Sequence, residues 1–267
     1  MNQFEQRMLE ILNFGREHGL YAGVKAEFEA EGTRTEEMIR LSDITRRSGL
    51  SLGIKIGGCE AVRDLIDCKQ IGAETIIAPM VESPYALSKY LAMKNRLYSK
   101  YERGNVRFLF NVETAQAVAE LDAILDMAAI PDGADGVVFG RVDYSASCGV
   151  ARDEINGEGI TRDCVRVAKA CKERGLDFVV GGGVALEGVE ALRTIYTAHL
   201  TRFETRKIMF DARALGSKDL AQGFIQAGEF ELLWLKNKRE YYMKIADEDA
   251  VRIDMLERRL KRQTVNA

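Results

Sequence analysis

Two acidic residues, Glu113 and Asp143, each follow an apolar stretch of strand character. Arg107-Phe-Leu-Phe110 leads into Asn111-Val-Glu-Thr114, and Gly136-Val-Val-Phe139 leads into Gly140-Arg-Val-Asp-Tyr-Ser145. The gap between the two strands is one helix long. If they are parallel neighbours, their carboxyl ends bring two carboxylates side by side at the top of a sheet. Such a pair suits a hard divalent cation, which takes oxygen ligands and leaves positions for water and substrate. The ligand-free alternative is that Glu113 caps the helix after it and Asp143 opens a turn.

Other chemistry-bearing residues gather at strand ends. Tyr21-Ala-Gly-Val-Lys-Ala-Glu-Phe-Glu29 alternates, with Val24, Ala26 and Phe28 on one face and Lys25, Glu27 and Glu29 on the other. On a surface strand the charged face would be solvated; in a closed barrel it points to the axis near the mouth. Leu52-Gly-Ile-Lys-Ile56 places Lys55 at the end of the next strand, as an electrostatic stabiliser of developing negative charge or as an ion-pair partner of Glu27 or Glu29. A Schiff base at Lys55 would be redundant beside a metal pair. Glu82, after Pro79-Met-Val81, either orients substrate or lies on a surface loop. Gly181-Gly-Gly183 follows a late strand, where backbone N–H groups can bind an anion or the glycines can permit close packing. Arg206 and Lys207 fall on opposite faces of the last strand, Phe203–Asp211.

The elements that must position these residues alternate along the chain. Helical spacing at Phe4, Met8, Ile11, Leu12 and Gly15 predicts a first helix over 2–18. Thr33 or Thr35 is placed to cap the next helix. Seven strands, joined by helices and short turns, read as βαβ units and a parallel sheet. Nearly every strand end carries a polar residue or glycine: Glu27, Lys55, Glu82, Glu113, Asp143, Gly181 and Asp211. In a barrel all such ends meet at one mouth, whereas in an open sheet only those at the switch point converge. The expected architecture is therefore a (β/α)8 TIM-type barrel with additional C-terminal helices, one strand being cryptic or replaced. The 267 residues suit a single barrel domain, 1–267. Two further helices are expected, over about 218–242 and 247–263. They carry Phe230, Leu232, Leu233, Trp234, Leu235, Tyr241, Tyr242 and Met243, much apolar surface for a terminal extension.

Bulk composition narrows the classes. With 38 basic and 41 acidic residues the net charge is −3, which gives no electrostatic reason to expect nucleic acid. No apolar run approaches the roughly 20 residues a membrane span needs, and the first residues lack a signal-peptide apolar core. A cytoplasmic address is expected. The five cysteines (Cys59, Cys68, Cys148, Cys164, Cys171) show no metal-type pairing and read as reduced thiols. Only two histidines, His18 and His199, are present, which argues against a multi-histidine zinc site.

Several blocks, in order, resemble the HpcH/HpaI aldolase and citrate lyase β-subunit family of the phosphoenolpyruvate/pyruvate barrel superfamily. Ile71-Gly-Ala-Glu-Thr-Ile-Ile-Ala-Pro-Met-Val81 is similar to the family's G-A-x-x-hydrophobic-P-M-V strand. Asn111-Val-Glu-Thr114 resembles its Q-I-E-T, and Phe139-Gly-Arg-Val-Asp-Tyr-Ser-Ala-Ser-Cys-Gly149 its G-x-x-D-L-S-x-x-x-G. The likeness is good over about residues 50–150 and looser over about 20–215. It implies Mg²⁺, or Mn²⁺ or another divalent cation, on Glu113 and Asp143, chelating the carboxylate and C2 oxygen of a pyruvate- or oxaloacetate-like 2-oxo acid. It implies that Asn111 helps hold substrate and that Gly140, Arg141 and Val142 offer backbone N–H groups to the substrate carboxylate. The family's enolate-stabilising Arg falls on Lys55. It also implies a homo-oligomer, with residues 217–267 as the assembling extension; the other reading of that extension is a helix covering its own barrel.

Two departures bear on the reaction. Lys55 keeps the charge of the family's Arg but loses its bidentate fork. The family's acidic-Gly-Glu-His segment, whose His moves protons, corresponds here to Glu27-Phe-Glu-Ala-Glu31, without histidine. Glu27 is the expected replacement acid or base, if its pKa is raised, the alternative being a structural charge network. The implied function is a lyase or aldolase making or breaking a C–C bond of a 2-oxo acid through a metal-bound enolate. Alternatives are a transferase or condensing enzyme using phosphoenolpyruvate, and a non-catalytic barrel serving as a binding or scaffold subunit.

Overall fold

The computed structural model describes residues 1–265. Its strands are β1 (Tyr21–Glu27), β2 (Ser51–Lys55), β3 (Thr75–Ala78), β4 (Arg107–Val112), β5 (Gly136–Gly140), β6 (Asp177–Gly181), β7 (Arg202–Glu204) and β8 (Ile208–Asp211). The helices are α1 (Gln3–Glu17), α2 (Thr35–Ser48), α3 (Val62–Ile71), α4 (Pro84–Leu97), α5 (Lys100–Arg103), α6 (Ala115–Ala119), α7 (Leu121–Ala128), α8 (Arg141–Ser147), α9 (Glu158–Glu173), α10 (Val189–Ala198) and α11 (Leu220–Val265). The strands close into a barrel in sequence order, β1 to β8. Neighbours from β1 to β7 pair in parallel.

The closure differs from the expected single last strand. Phe203–Asp211 is two strands, and β8 runs antiparallel to both β7 and β1. Thr205 closes the turn between them: its N–H donates to the Ile208 carbonyl at 2.9 Å, and its Oγ1 accepts from the Ile208 N–H at 3.1 Å. The eighth strand therefore lies inside the stretch read as one. The reversal also carries Asp211 to the strand-start end of the barrel, paired with Arg202, so it does not share the mouth with Glu27. Arg206 and Lys207 sit in the turn at the mouth and both bind Glu31.

The barrel's alternation divides its residues between two interiors. Val24 and Ala26 of β1 join the main core between barrel and helices. Inside the barrel, Ile77, Leu109, Val138 and Val179 from β3 to β6 form a separate apolar cluster. The opposite inner wall, from β7, β1 and β2, is charged: Glu204, Lys25, Glu27 and Lys55 are all buried. Both interiors are close-packed, so the polar wall must satisfy itself with its own pairs.

Local details also differ from expectation. Thr33 does not cap α2; its Oγ1 donates to the Glu27 carbonyl at 2.7 Å and curls the loop after β1 over the mouth. The C-terminal extension is one helix of 46 residues, not two. No glycine or proline occurs between Gly228 and Val265, so nothing interrupts it. The helix climbs the barrel wall. Gly223 accepts from the Tyr21 hydroxyl at 2.6 Å near the start of β1. Higher up, the Trp234 ring lies 5.8 Å from Lys207 Nζ, and Tyr242 donates to Glu37 at 2.7 Å. Residues 243–263 are exposed throughout and continue past the mouth. The first half of α11 thus covers its own barrel. Among the described residues no helix is long and apolar enough to cross a membrane. The five cysteines are unpaired, and burial pushes the Cys164 and Cys171 thiols up to about 12.

Candidate active site

Glu113 follows β4 directly and is 1% exposed. Its carboxylate accepts from the Met80 N–H at 2.9 Å and from Asn111 Nδ2 at 2.6 Å. Both donors are neutral. Met80 reaches this position with φ of 50°, a left-handed conformation that costs a non-glycine residue about 1–3 kcal/mol. That strain aims its N–H at Glu113. Burial raises the Glu113 pKa above its usual range; Lys55 and the two hydrogen bonds oppose this, and the charge of Asp143 adds to it.

Asp143 sits in the first turn of α8 and is exposed. Gly140, three residues earlier, lies against Glu113: a Cβ there would stand 2.5 Å from Oε2. Asn111 is 3% exposed, and its Oδ1 is buried without a hydrogen-bond partner. Parallel pairing of β4 and β5 thus brings Asn111, Glu113, Gly140 and Asp143 together. Among the described residues no three His, Cys, Asp or Glu side chains converge as a ready metal cluster. The protein side of a cation here would be two carboxylates. That oxygen donor set fits a Mg²⁺-like ion, which keeps several positions for water and substrate.

The residues of the β5–α8 turn are held by packing. The Arg141 side chain is 1% exposed. Its Nε donates to the Gly182 carbonyl at 3.2 Å and its Nη1 to Asn156 Oδ1 at 2.9 Å. Gly182 has φ of +76°, and a Cβ there would lie 2.7 Å from the Val142 nitrogen and 3.0 Å from that of Arg141. The glycine run therefore serves close approach to this turn. A 3-10 turn, Leu186–Gly188, separates it from α10, so the run does not open a helix on an anion. Glu82 is exposed on the loop before α4.

The charged wall is a set of separate ion pairs. Lys25 Nζ lies 3.2 Å from Glu27 Oε1 and 3.1 Å from Glu204 Oε2. Burial would lower the Lys25 pKa, but Glu204 and Glu27 outweigh it and raise it. Burial would likewise raise Glu27, but Lys25, Lys55 and Arg206 hold it below the usual carboxylate range. Lys55 Nζ lies 2.7 Å from Glu29 Oε2. Glu31 takes Arg206 and Lys207. The three glutamates of Glu27-Phe-Glu-Ala-Glu31 thus meet different cations. Sequence reasoning missed Glu204, hidden in the undivided last strand, and the Met80 N–H, for which no residue-type signal exists. The alternation of Glu27, Glu29 and Glu31 was the available signal for the third pairing.

Several solved structures share this architecture. An HpcH/HpaI aldolase from Desulfitobacterium hafniense DCB-2 superposes with a TM-score of 0.57 at 16% identity, over 72% of this chain and 80% of that one. An HpcH/HpaI aldolase/citrate lyase family protein from Burkholderia cenocepacia J2315 gives 0.58 at 17% identity, over 73% and 81%. The citrate synthase SbnG gives 0.59 at 16% identity, over 74% and 82%. At these identities the likeness is one of fold. No curated protein matches the chain in sequence. Residues 59–195 match the HpcH/HpaI aldolase/citrate lyase family. That span is more than half of the chain and holds Asn111, Glu113, Gly140 and Asp143; the protein belongs to the HpcH/HpaI aldolase/citrate lyase family.

Proposed function

We propose that the protein is a cytoplasmic enzyme of aldolase or lyase type that makes or breaks a C–C bond next to the carbonyl of a small 2-oxo acid, with a divalent cation held by Glu113 and Asp143. The observation that carries this reading is the buried Glu113 carboxylate. Among the described residues its hydrogen-bond donors are neutral, and the charges that act on it are Lys55, which favours its charge, and Asp143, which opposes it. Two carboxylates so placed repel each other until a cation joins them. When bound, that cation supplies Lewis-acid polarisation of the substrate's C2 carbonyl.

The chain's own residues do the rest. Asn111 fixes one oxygen of Glu113 and presents its unpartnered Oδ1 to the site. The backbone N–H groups of Gly140, Arg141 and Val142 receive the substrate carboxylate, on a turn that the Arg141 side chain ties to Gly182 and Asn156. The Lys55 ammonium faces the charge that develops on the C2 oxygen as the enolate forms. Beyond the mouth, the exposed Ile253, Leu256 and Leu260, spaced three and four apart on one face of α11, are the surface we assign to assembly of a homo-oligomer.

The test is an NMR screen of pyruvate, oxaloacetate and phosphoenolpyruvate, each with Mg²⁺ and a panel of aldehydes. Aldol products or cleavage of a 4-hydroxy-2-oxo acid support the reading. Phosphate release from phosphoenolpyruvate would move the protein to the transferase class. No turnover with any of them, together with no cation binding, would leave a binding or scaffold barrel.

A further inference from the structure

The three glutamates after β1 are held differently. Glu27 is 5% exposed and sits with Glu204 around one lysine, Lys25. Glu31 is clamped by both cations of the β7–β8 turn, Arg206 and Lys207. Among the described residues Glu29 has the single ion-pair partner Lys55, and its side chain is 26% exposed, the most of the three. The 2.7 Å contact is one of charge: Glu29 Oε2 makes no hydrogen bond of acceptable alignment. Glu29 also stands on the loop between β1 and α2, not within the barrel wall. It is therefore the carboxylate of the segment freest to turn toward a substrate, and Lys55, which it would leave, still has the Glu113 carboxylate within electrostatic reach.

We infer that Glu29 is the group that moves the proton in this enzyme, with Lys55 as its charge partner, in place of Glu27. The inference rests on the enolate reading given above. In the cleavage direction the Glu29 carboxylate takes the proton of the C4 hydroxyl of a 4-hydroxy-2-oxo acid. The C3–C4 bond breaks, its electron pair becomes the C2–C3 double bond of the enolate, and the carbonyl product leaves. The Glu29 carboxylic acid then returns the same proton to C3 and the C2 carbonyl re-forms. One proton is borrowed and returned, and nothing is oxidised or reduced. Lys55 faces a negative charge throughout: on Glu29 at rest, and on the C2 oxygen once Glu29 is protonated. Lys55 is already within electrostatic reach of Glu113, so the proton-transfer group and the cation-binding end of the site share it. Glu27 is left to hold Lys25 and the barrel wall.

Exchange of pyruvate methyl protons in D₂O, followed by NMR with Mg²⁺ present, reads proton transfer at C3 without requiring the natural acceptor. Calorimetric binding of oxalate, a dianion shaped like the enolate, reads the site separately. Glu29→Gln is expected to slow exchange by about 100-fold or more while binding oxalate as tightly as wild type or more tightly, because Lys55 loses its competing anion. Exchange within about threefold of wild type in Glu29→Gln, or loss of exchange and oxalate binding together, would overturn the assignment. A wild-type protein that binds oxalate but exchanges no protons would remove Glu29's role and leave the site standing. A wild-type protein that does neither would sink the enolate reading, and Glu29's role with it.

Discussion

Gly140 and Glu113 are in direct contact across neighbouring strands: a Cβ on Gly140 would stand 2.5 Å from Glu113 Oε2 and 2.8 Å from its Cβ. The glycine at the end of β5 lets a buried carboxylate lie flat against the backbone, beside the turn that carries Asp143. Gly140→Ala should therefore displace Glu113. The expected result is a loss of about 1–3 kcal/mol in urea unfolding, typical of overpacking, and a drop of about 10-fold or more in divalent-cation affinity, as when a ligand's supporting contacts are lost. Calorimetric titration with Mn²⁺ checks the second; unchanged affinity would mean that Glu113 is not a ligand.

Lys25 lies between two buried carboxylates, Glu27 and Glu204. Removing a partner from a buried ion cluster strands the remaining charge. Lys25→Met should cost about 3–5 kcal/mol in urea unfolding. Adding Glu204→Gln to it should restore part of that loss, because one stranded charge goes with it. A double variant that is less stable than either single one would contradict the pairing.

The acid limb of stability should report the same wall. Glu27 titrates below the usual carboxylate range, burial being outweighed by Lys25, Lys55 and Arg206. Glu5 is also held low, burial being outweighed by Arg40, the Asn2 N–H and Asn237. A carboxylate with a depressed folded-state pKa contributes stability above its unfolded value, about 4.3, and loses it as pH falls through the folded value. Urea unfolding free energy should thus decline as pH falls below about 4. Glu27→Gln should lower stability at pH 7 and shallow that decline; an unchanged acid limb would contradict the assigned pair.

How much of this was legible beforehand depended on whether residue type carried the signal. The alternation of Lys25 and Glu27 against Val24 and Ala26 pointed to a charged inner wall, and that wall is present. The apolar runs before Glu113 and Asp143 placed both at the mouth, because parallel strands end where their polar residues begin. The β7–β8 hairpin was not legible. Its turn, Arg206-Lys207, uses no left-handed residue, so it lacks the Asn or Gly that usually marks a two-residue hairpin. Reading it as one strand sent Asp211 to the wrong end of the barrel and hid Glu204. The left-handed Met80 was invisible because a strained backbone is set by its surroundings. The polar run Asp247-Glu-Asp249 interrupts the apolar pattern of α11 without breaking its backbone, so the pattern predicts two helices where there is one.

The two halves of α11 should separate experimentally. Leu220, Phe224, Ala227, Phe230 and Trp234 are buried against the barrel, whereas Val251, Ile253, Met255, Leu256 and Leu260 are exposed. Ending the chain after Met243 should leave the circular dichroism spectrum that of a folded barrel, with less helix. The mass measured by light scattering should fall to that of a smaller assembly or a monomer. An unchanged subunit number would show that the exposed half of the helix does not hold copies together.

The proposed function requires a divalent cation shared by Glu113, Asp143 and a 2-oxo acid. Electron paramagnetic resonance of Mn²⁺, titrated into the protein with and without oxalate, tests it most directly. The expected result is one Mn²⁺ per chain, bound more tightly with oxalate, and weakened at least about 10-fold by Glu113→Gln and by Asp143→Asn. Wild-type protein that leaves Mn²⁺ free at millimolar oxalate, or variants that bind as well as wild type, would contradict it.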